Sequence, residues 1–232
     1  MTASLSPFFL GGWGSTDEVW RGTLTQAALS EPHFLAWLDC VRDWPQVLRS
    51  LSEVPGKCVL VGWSLGGLLS LRAALELPEK IAALVLVSGT PCMCASKDHG
   101  GIDSRTIAAM RIRVARNPGP VLNEFAHQCA MPDGDAETRY CYLQQAKHFS
   151  AAELAAGLEC LAALDLRERL GEINVPCRLL HGACDQIVPL RSAQFLASQI
   201  PLAELDVLEG HGHALPFTAP AKIAQCISSV LS

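Results

Sequence analysis

The stretch Gly62-Trp63-Ser64-Leu65-Gly66 has the pattern G-x-S-x-G, and its neighbours predict its structure. A short apolar run, residues 58–61, comes before it, and a good helix former, residues 67–76, comes after it. In a strand, tight turn and helix of this kind, a serine takes a strained backbone position, and glycines let neighbouring backbone pass. Ser64 is therefore the candidate nucleophile. The alternative is a buried serine in an ordinary strand-to-helix turn.

Strand-like apolar runs alternate with helical patterns along most of the chain. Most of the runs are apolar without alternation, which is typical of strands buried on both faces of a sheet. The runs are residues 8–10, 33–38, 58–61, 83–87, 177–180 and 205–208. The helical patterns are residues 43–51, 65–76, 190–200 and 220–231. This alternation predicts an α/β fold with a mostly parallel sheet of about six strands, flanking helices and right-handed crossovers.

The segment of residues 91–170 breaks the alternation. It contains only helical or loop patterns, with breaks at Asn117-Pro118-Gly119-Pro120 and Met131-Pro132-Asp133-Gly134. We therefore expect a helical lid over residues 91–170, inserted in a core formed by residues 1–90 and 171–232.

Size and charge exclude several classes of function. The chain has 232 residues, half of them apolar, which suits one sizeable core with a small inserted unit. Its formal net charge is −5 and it has no Lys or Arg run, so we expect no nucleic-acid partner. No apolar run reaches the roughly 18 residues of a membrane helix, and the first residues lack the features of a signal peptide, so we expect no membrane partner.

The ten cysteines are scattered singly, apart from Cys92-Met93-Cys94, and form no C-x-x-C pair. We interpret them as mostly buried, reduced thiols of a cytoplasmic protein. Cys92 and Cys94 have no second pair nearby, so we expect no metal site.

A serine nucleophile needs a base to take its proton and an acid to orient that base. Two strand-then-loop units follow Ser64 in the sequence: one loop carries Asp185, and the next carries His211 and His213. The order Ser, Asp, His is one of the known chain orders of such triads. Only one of the two histidines can easily reach Ser64, and we favour His213.

Each of these residues also has a structural interpretation. Taken alone, Asp185 is also explained as a turn residue or helix N-cap ahead of Pro189. His211 is also explained as a loop residue that forms a hydrogen bond with the backbone. His181 directly follows a strand, and we interpret it as structural, with a bond to the Asp185 loop.

The tetrahedral intermediate of acyl transfer needs two donors for its oxyanion. One is expected to be the N–H of Leu65, the residue after the nucleophile. The other is expected from the loop Gly11-Gly12-Trp13-Gly14, as the N–H of Trp13, because glycines let backbone approach a ligand closely. The alternative for this loop is a plain glycine-rich turn.

These motifs together resemble those of the α/β-hydrolases, and in particular the pimeloyl-[acyl-carrier-protein] methyl ester esterases of biotin synthesis. The matching stretches, in the same order, are Gly12-Trp13-Gly14 with Glu18-Val19-Trp20, Gly62 to Gly67, Ser88-Gly89-Thr90-Pro91-Cys92, Asp185-Gln186-Ile187-Val188-Pro189 and His213-Ala214-Leu215-Pro216-Phe217. The last stretch supports His213 as the base.

Two departures from the family accompany this resemblance. The family's oxyanion loop usually begins with His, where this chain has Gly11, and we expect a less rigid loop. The chain also begins almost at its first catalytic strand, so we expect the leading strands of the usual eight-stranded sheet to be shortened or missing.

The resemblance implies a serine carboxylesterase that hydrolyses the methyl ester of a pimeloyl group on acyl carrier protein, without metal or organic cofactor. Trp13 and Trp63 would wall an acyl channel. Residues 105–122 hold Arg105, Arg111, Arg113 and Arg116 and no acid, and in this family such arginines contact the acidic carrier. A solvated helix face is the alternative for these arginines, and core packing for Trp63.

Two other interpretations of the whole chain remain. One is another acyl hydrolase on the same scaffold, such as a thioesterase, a short-chain esterase or a carbon–carbon bond hydrolase. The other is a binding protein that keeps the fold without turnover. A small-molecule acyl ester is the alternative to a carrier-linked substrate. We expect a monomer in each case.

Overall fold

The computed structural model describes residues 5–27, 29, 31–96 and 99–231. Its centre is a six-stranded sheet in the order β2-β1-β3-β4-β5-β6, and every neighbouring pair is parallel. The strands are β1 (Leu5–Leu10), β2 (His33–Leu35), β3 (Lys57–Trp63), β4 (Ile81–Val87), β5 (Cys177–Gly182) and β6 (Ala203–Leu208). The parallel sheet of about six strands expected from the sequence is confirmed.

Burial differs between the centre and the edge of the sheet. The central strands β3 and β4 are buried along almost their whole length, and their sequences are continuous apolar runs. The edge strand β6 alternates between half-buried and exposed positions over most of its length. Strands β4 and β6 each begin two residues earlier than predicted, at Ile81 and Ala203.

Eleven α-helices lie along the described part of the chain. They are α1 (Arg21–Ala27), α2 (Trp37–Arg42), α3 (Trp44–Glu53), α4 (Leu65–Glu76), α5 (Ser104–Arg116), α6 (Pro118–Ala130), α7 (Ala136–Ala146), α8 (Ala151–Ala163), α9 (Leu190–Gln199), α10 (Leu215–Thr218) and α11 (Pro220–Leu231). Helix α4 is buried along nearly its whole length against β3 and β4, and both of its ends were predicted correctly.

The structure corrects the expected strand over residues 33–38. Strand β2 ends at Leu35, and Trp37 begins helix α2. The indole of Trp37 is 1% exposed, and its Nε1 donates to the carbonyl of Ser15 at 3.1 Å. Long-range packing of this ring therefore outweighs the strand-forming preference of an aromatic run.

Helices α5 to α8 all lie between β4 and β5 in the chain. The two predicted breaks are confirmed, because α5 ends at Arg116, just before the first break, and α6 ends at Ala130, just before the second. Helix α5 packs on α8, and α6 packs on α7. Helix α8 begins with a reciprocal capping box between Ser150 and Glu153. The division of the chain into core and lid stays a prediction.

All ten cysteines are free thiols, and most of them are buried. Burial raises the pKa of Cys177 to about 12, so this thiol is protonated at neutral pH. Within the described ranges, no helix combines the length and apolar character needed to cross a bilayer.

Candidate active site

Ser64 lies in the sharp turn between β3 and α4. Its backbone has φ 54° and ψ −116°, a strained conformation for a residue with a side chain. A Cβ on Gly62 would lie 2.4 Å from the carbonyl oxygen of Gly66, and a Cβ on Gly66 would lie 2.2 Å from that of Leu10. Both glycines of the motif are therefore required for the turn to form.

The three predicted catalytic side chains meet at this turn. Nε2 of His213 lies 3.0 Å from Oγ of Ser64, and Nδ1 of His213 lies 2.7 Å from Oδ2 of Asp185. The residues follow β3, β5 and β6, whose carboxyl ends share one edge of the sheet. All three are buried, and His213 is fully enclosed.

The surroundings of Asp185 keep it ionised. Burial alone would raise the pKa of this carboxyl, but the facing His213 ring and backbone donors outweigh that effect and hold the pKa below its usual value. The N–H groups of Ile187 and Val188 each donate to its Oδ1 at 2.8 Å. Because the Nδ1–H of His213 donates to this carboxylate, Nε2 is left as an acceptor facing Ser64.

His211 lies in the same loop as His213 but points elsewhere. Its Nδ1 is 2.6 Å from Oδ2 of Asp133, and the N–H of Gly212 donates to Oδ1 of the same carboxylate at 2.8 Å. Asp133 lies in the turn between α6 and α7, so this turn holds the loop of the candidate base. The sequence contained no signal for the contact, because 78 positions separate the partners.

His181 has the structural role expected for it. Its ring is 1% exposed, and Nε2 lies 2.8 Å from the carbonyl of Val188 in the Asp185 loop. Burial holds the pKa of His181 below its usual value, so the ring is neutral at pH 7.

The two expected oxyanion donors belong to neighbouring segments. Leu65 is the first residue of α4, and the first N–H groups of a helix have no partner within it. The loop after β1 touches this helix, since a Cβ on Gly66 would lie 2.7 Å from the carbonyl oxygen of Gly11. The indole Nε1 of Trp13 donates to the carbonyl of Leu154 at 2.8 Å. Trp13 and Ser64 line the same cavity.

That cavity has a volume of about 390 Å³ and leads from Ser64 to the helices between β4 and β5. Most of its wall is apolar, with Phe125 and Leu158 among the larger side chains. Besides Ser64, its charged and uncharged polar wall residues are Arg105, Thr106, Arg113, Glu124 and Gln128. A cavity of this size and character suits an extended acyl chain with a few polar groups along its length.

The structure brings only some of the predicted substrate contacts to this cavity. Trp13 and Arg113 line it, whereas Trp63, Arg111 and Arg116 are not among the described lining residues. Trp63 is 1% exposed, and its Nε1 donates to the carbonyl of His213 at 3.0 Å. Trp63 therefore packs behind the loop of residues 209–214 that carries the candidate base, the base loop.

The predicted positive patch is partly neutralised by other helices. Arg113 forms a 2.7 Å ion pair with Glu124 of α6, and Arg111 lies 3.5 Å from Glu159 of α8. The sequence showed the run of arginines but not the acids that helix packing brings beside them. Glu124 and Gln128 of the cavity wall were missed for the same reason.

A buried Ser–His–Asp chain at the carboxyl edge of a parallel sheet defines a class of hydrolases. The chain belongs to the alpha/beta hydrolase family, whose model matches residues 9–225. The names of its curated relatives identify it as a carboxylic ester hydrolase.

Two curated relatives indicate the branch of the family. The chain is 31% identical to the pimeloyl-[acyl-carrier protein] methyl ester esterase of Aromatoleum aromaticum, over 96% of this chain and 96% of the relative. It is 29% identical to the protein of the same name from Nitrosomonas europaea, over 95% of this chain and 93% of the relative.

Solved structures agree on the fold. An esterase from Exiguobacterium antarcticum matches with a TM-score of 0.86 at 18% identity, covering 99% of this chain and 93% of that structure. A bromoperoxidase from Bacillus anthracis matches with a TM-score of 0.84 at 21% identity, covering 99% and 92%.

Proposed function

We propose that Ser64, His213 and Asp185 hydrolyse an acyl ester through an acyl-enzyme intermediate. The observation that carries the proposal is the unbroken chain of contacts, 3.0 Å from Ser64 to His213 and 2.7 Å from His213 to Asp185. Both distances lie within the reach needed for proton transfer and for orientation of the base.

In the first half of the reaction, Oγ of Ser64 attacks the ester carbonyl carbon while Nε2 of His213 takes the hydroxyl proton. Asp185 stabilises the resulting imidazolium without becoming protonated. His213 then donates the proton to the leaving alcohol, and the C–O bond of the ester breaks. In the second half, water gives a proton to His213 and attacks the acyl carbon. The bond from that carbon to Oγ of Ser64 then breaks, His213 returns the proton to Oγ, and the acid is released.

The developing oxyanion is bound by the N–H groups of Leu65 and Trp13. Each such donor is worth about 10²–10³ in rate, because it is aimed at charge that exists only near the transition state. The position of Leu65 at the start of α4 adds the positive end of the helix dipole.

The proposed substrate is the methyl ester of a pimeloyl group carried by acyl carrier protein. Support comes from the names of the two relatives and from the largely apolar cavity above Ser64. The proposed lid, residues 91–170, supplies much of the cavity wall through α5, α6 and α8. Arg105 and Arg113 are the cavity residues placed to attract an acidic carrier.

One substrate separates this proposal from its rivals. Methyl pimeloyl-acyl carrier protein contains both a methyl ester and a thioester, so the products report which bond is cut. We expect release of methanol with the carrier still acylated. Release of the free carrier thiol would instead indicate a thioesterase, and no turnover with intact binding would indicate a binding protein.

A second test uses growth. The chain should restore growth without biotin to a strain that lacks its own pimeloyl methyl esterase, and the Ser64→Ala variant should not. Failure of a chain that is active on simple esters would contradict the pimeloyl substrate while leaving the esterase chemistry intact.

A further inference from the structure

The loop between β1 and the next helix contains one peptide that matters for the proposed oxyanion hole. The carbonyl of Gly12 accepts two hydrogen bonds from Ser15, one from its N–H at 3.1 Å and one from its Oγ at 2.9 Å. Ser15 is 2% exposed, so water cannot easily replace its hydroxyl. The Ser15 hydroxyl is therefore a buried hydrogen-bond donor within the loop.

The carbonyl of Gly12 and the N–H of Trp13 belong to the same peptide unit. In a planar trans peptide these two groups point in opposite directions. Any contact that fixes the Gly12 carbonyl therefore also fixes the direction of the Trp13 N–H. If this peptide unit flipped, the carbonyl oxygen of Gly12 would face the developing oxyanion in place of the Trp13 N–H.

Gly11 and the Ser15 hydroxyl compete for the same space. A Cβ on Gly11 would lie 2.4 Å from Oγ of Ser15, which is too close for the two to coexist. The other atoms near that position, Cβ of Ser15 and the carbonyl oxygen of Thr16, would each lie at an ordinary contact distance of 3.7 Å. The absence of a side chain at position 11 thus makes room for this one hydroxyl.

We infer that Ser15 is a positioning residue for the oxyanion hole, and that Gly11 is required because it leaves space for the Ser15 hydroxyl. The inference rests on the proposed role of the Trp13 N–H. It reverses the expectation that glycine at position 11 loosens the loop: support comes from inside the loop, from residue 15.

The rest of the loop is held independently by helix α7. The hydroxyl of Tyr142 donates to the carbonyl of Trp13 at 2.9 Å, and Oε1 of Gln145 accepts from the N–H of Thr16 at 3.0 Å. Burial raises the pKa of Tyr142 well above its usual value, so its hydroxyl keeps its proton. Loss of the Ser15 hydroxyl should therefore leave the Gly12 carbonyl with only the bond from the N–H of Ser15, and leave the rest of the loop in place.

The first test is Ser15→Ala, assayed on a short p-nitrophenyl ester. We expect kcat to fall about 10- to 100-fold, which is no more than the loss of a whole oxyanion donor would cause. KM should change by less than about threefold. Affinity for a trifluoromethyl ketone, which forms a tetrahedral adduct with Ser64, should fall by a similar factor. Affinity for the product carboxylate should stay the same.

Ser192→Ala is the matched control. Ser192 is fully buried, and its hydroxyl donates to the carbonyl of Gly100 at 2.9 Å, the same length as the bond in question. We expect a similar loss of thermal stability in both variants and a loss of kcat only in Ser15→Ala. Equal kcat values for the two variants would overturn the inference.

The second test is a double-mutant cycle with Gly11→Ala. Alone, this change should displace the Ser15 hydroxyl and lower kcat about as much as Ser15→Ala does. In the Ser15→Ala background the methyl group has room, so Gly11→Ala should change kcat less than about twofold. Additive losses would show that position 11 acts independently of the hydroxyl and would overturn the inference. Activity remaining in Ser64→Ala would instead refute the proposed function itself.

Discussion

The catalytic edge of the sheet and the wall of the cavity are built in different ways. Ser64, Asp185 and His213 each follow a strand within a few residues, and the ladder of the sheet sets their separation. The cavity wall comes mainly from α5, α6 and α8, which are connected to the sheet only through loops and side-chain packing. Local motifs thus position the proposed triad, whereas long-range packing shapes the cavity beside it.

The largest expected effect is at the catalytic edge. Asp185→Asn should lower kcat about 10⁴-fold, because an amide no longer holds His213 in the tautomer that accepts the proton of Ser64. Kinetics on a p-nitrophenyl ester would measure it. Asp206→Asn, on the exposed side of the neighbouring strand β6, is the control and should leave kcat unchanged. A loss under tenfold in Asp185→Asn would contradict the proposed role of this carboxylate.

The same contrast shows what the sequence could predict. The sharp turn at Ser64, the order of the triad and both ends of α4 follow from glycines, strand-like runs and a helix-stopping Pro78, all local signals. The sequence also favoured His213 over His211, and the structure brings His213 to Ser64.

The contacts that sequence reasoning missed all join distant segments. Asp133 reaches the base loop across 78 positions, and Tyr142 reaches the oxyanion loop across 129. Trp63 was expected in the acyl channel, but its indole packs behind His213. Residue type and spacing do not encode such partners, because they depend on how the helices between β4 and β5 fold back over the sheet.

Asp133→Asn tests whether the cavity helices also support the catalytic edge. An amide cannot accept from both His211 and Gly212 with the strength of a carboxylate, so the base loop should shift and kcat should fall roughly tenfold. The variant should lose about 1–3 kcal/mol of unfolding free energy at pH 7, measured by urea denaturation. Asp135→Asn is the control, because Asn caps a helix as well as Asp does.

The pH dependence of this loss has a definite sign. Burial would raise the pKa of Asp133, but hydrogen bonds from Thr218, Gly212 and His211 outweigh it and hold the pKa below its usual value. The carboxylate therefore stabilises the fold above the unfolded pKa of about 3.9, and this contribution is lost as pH falls through the lower folded value. The difference in unfolding free energy between wild type and Asp133→Asn should shrink below about pH 4. A difference that stays constant with pH would contradict this role of the Asp133 carboxylate.

The smallest expected effect is at the cavity wall. Arg113→Ala should raise KM for methyl pimeloyl-acyl carrier protein about three- to tenfold, because exposed charges act mainly by steering, and added salt should reduce the difference. KM for a short ester should not change. Arg49→Ala on α3, which alters the net charge equally, should leave both KM values unchanged. Equal effects of the two substitutions would mean that Arg113 acts only through total charge.

Trapping the acyl-enzyme tests the central claim most directly. The protein is mixed with p-nitrophenyl acetate, quenched in acid within the first turnover, and analysed by peptide mass spectrometry. We predict an acetyl group on Ser64, formed with a burst of p-nitrophenol, and neither adduct nor burst in His213→Ala. Steady turnover with no acyl group on Ser64, or a label on another residue, would contradict the account.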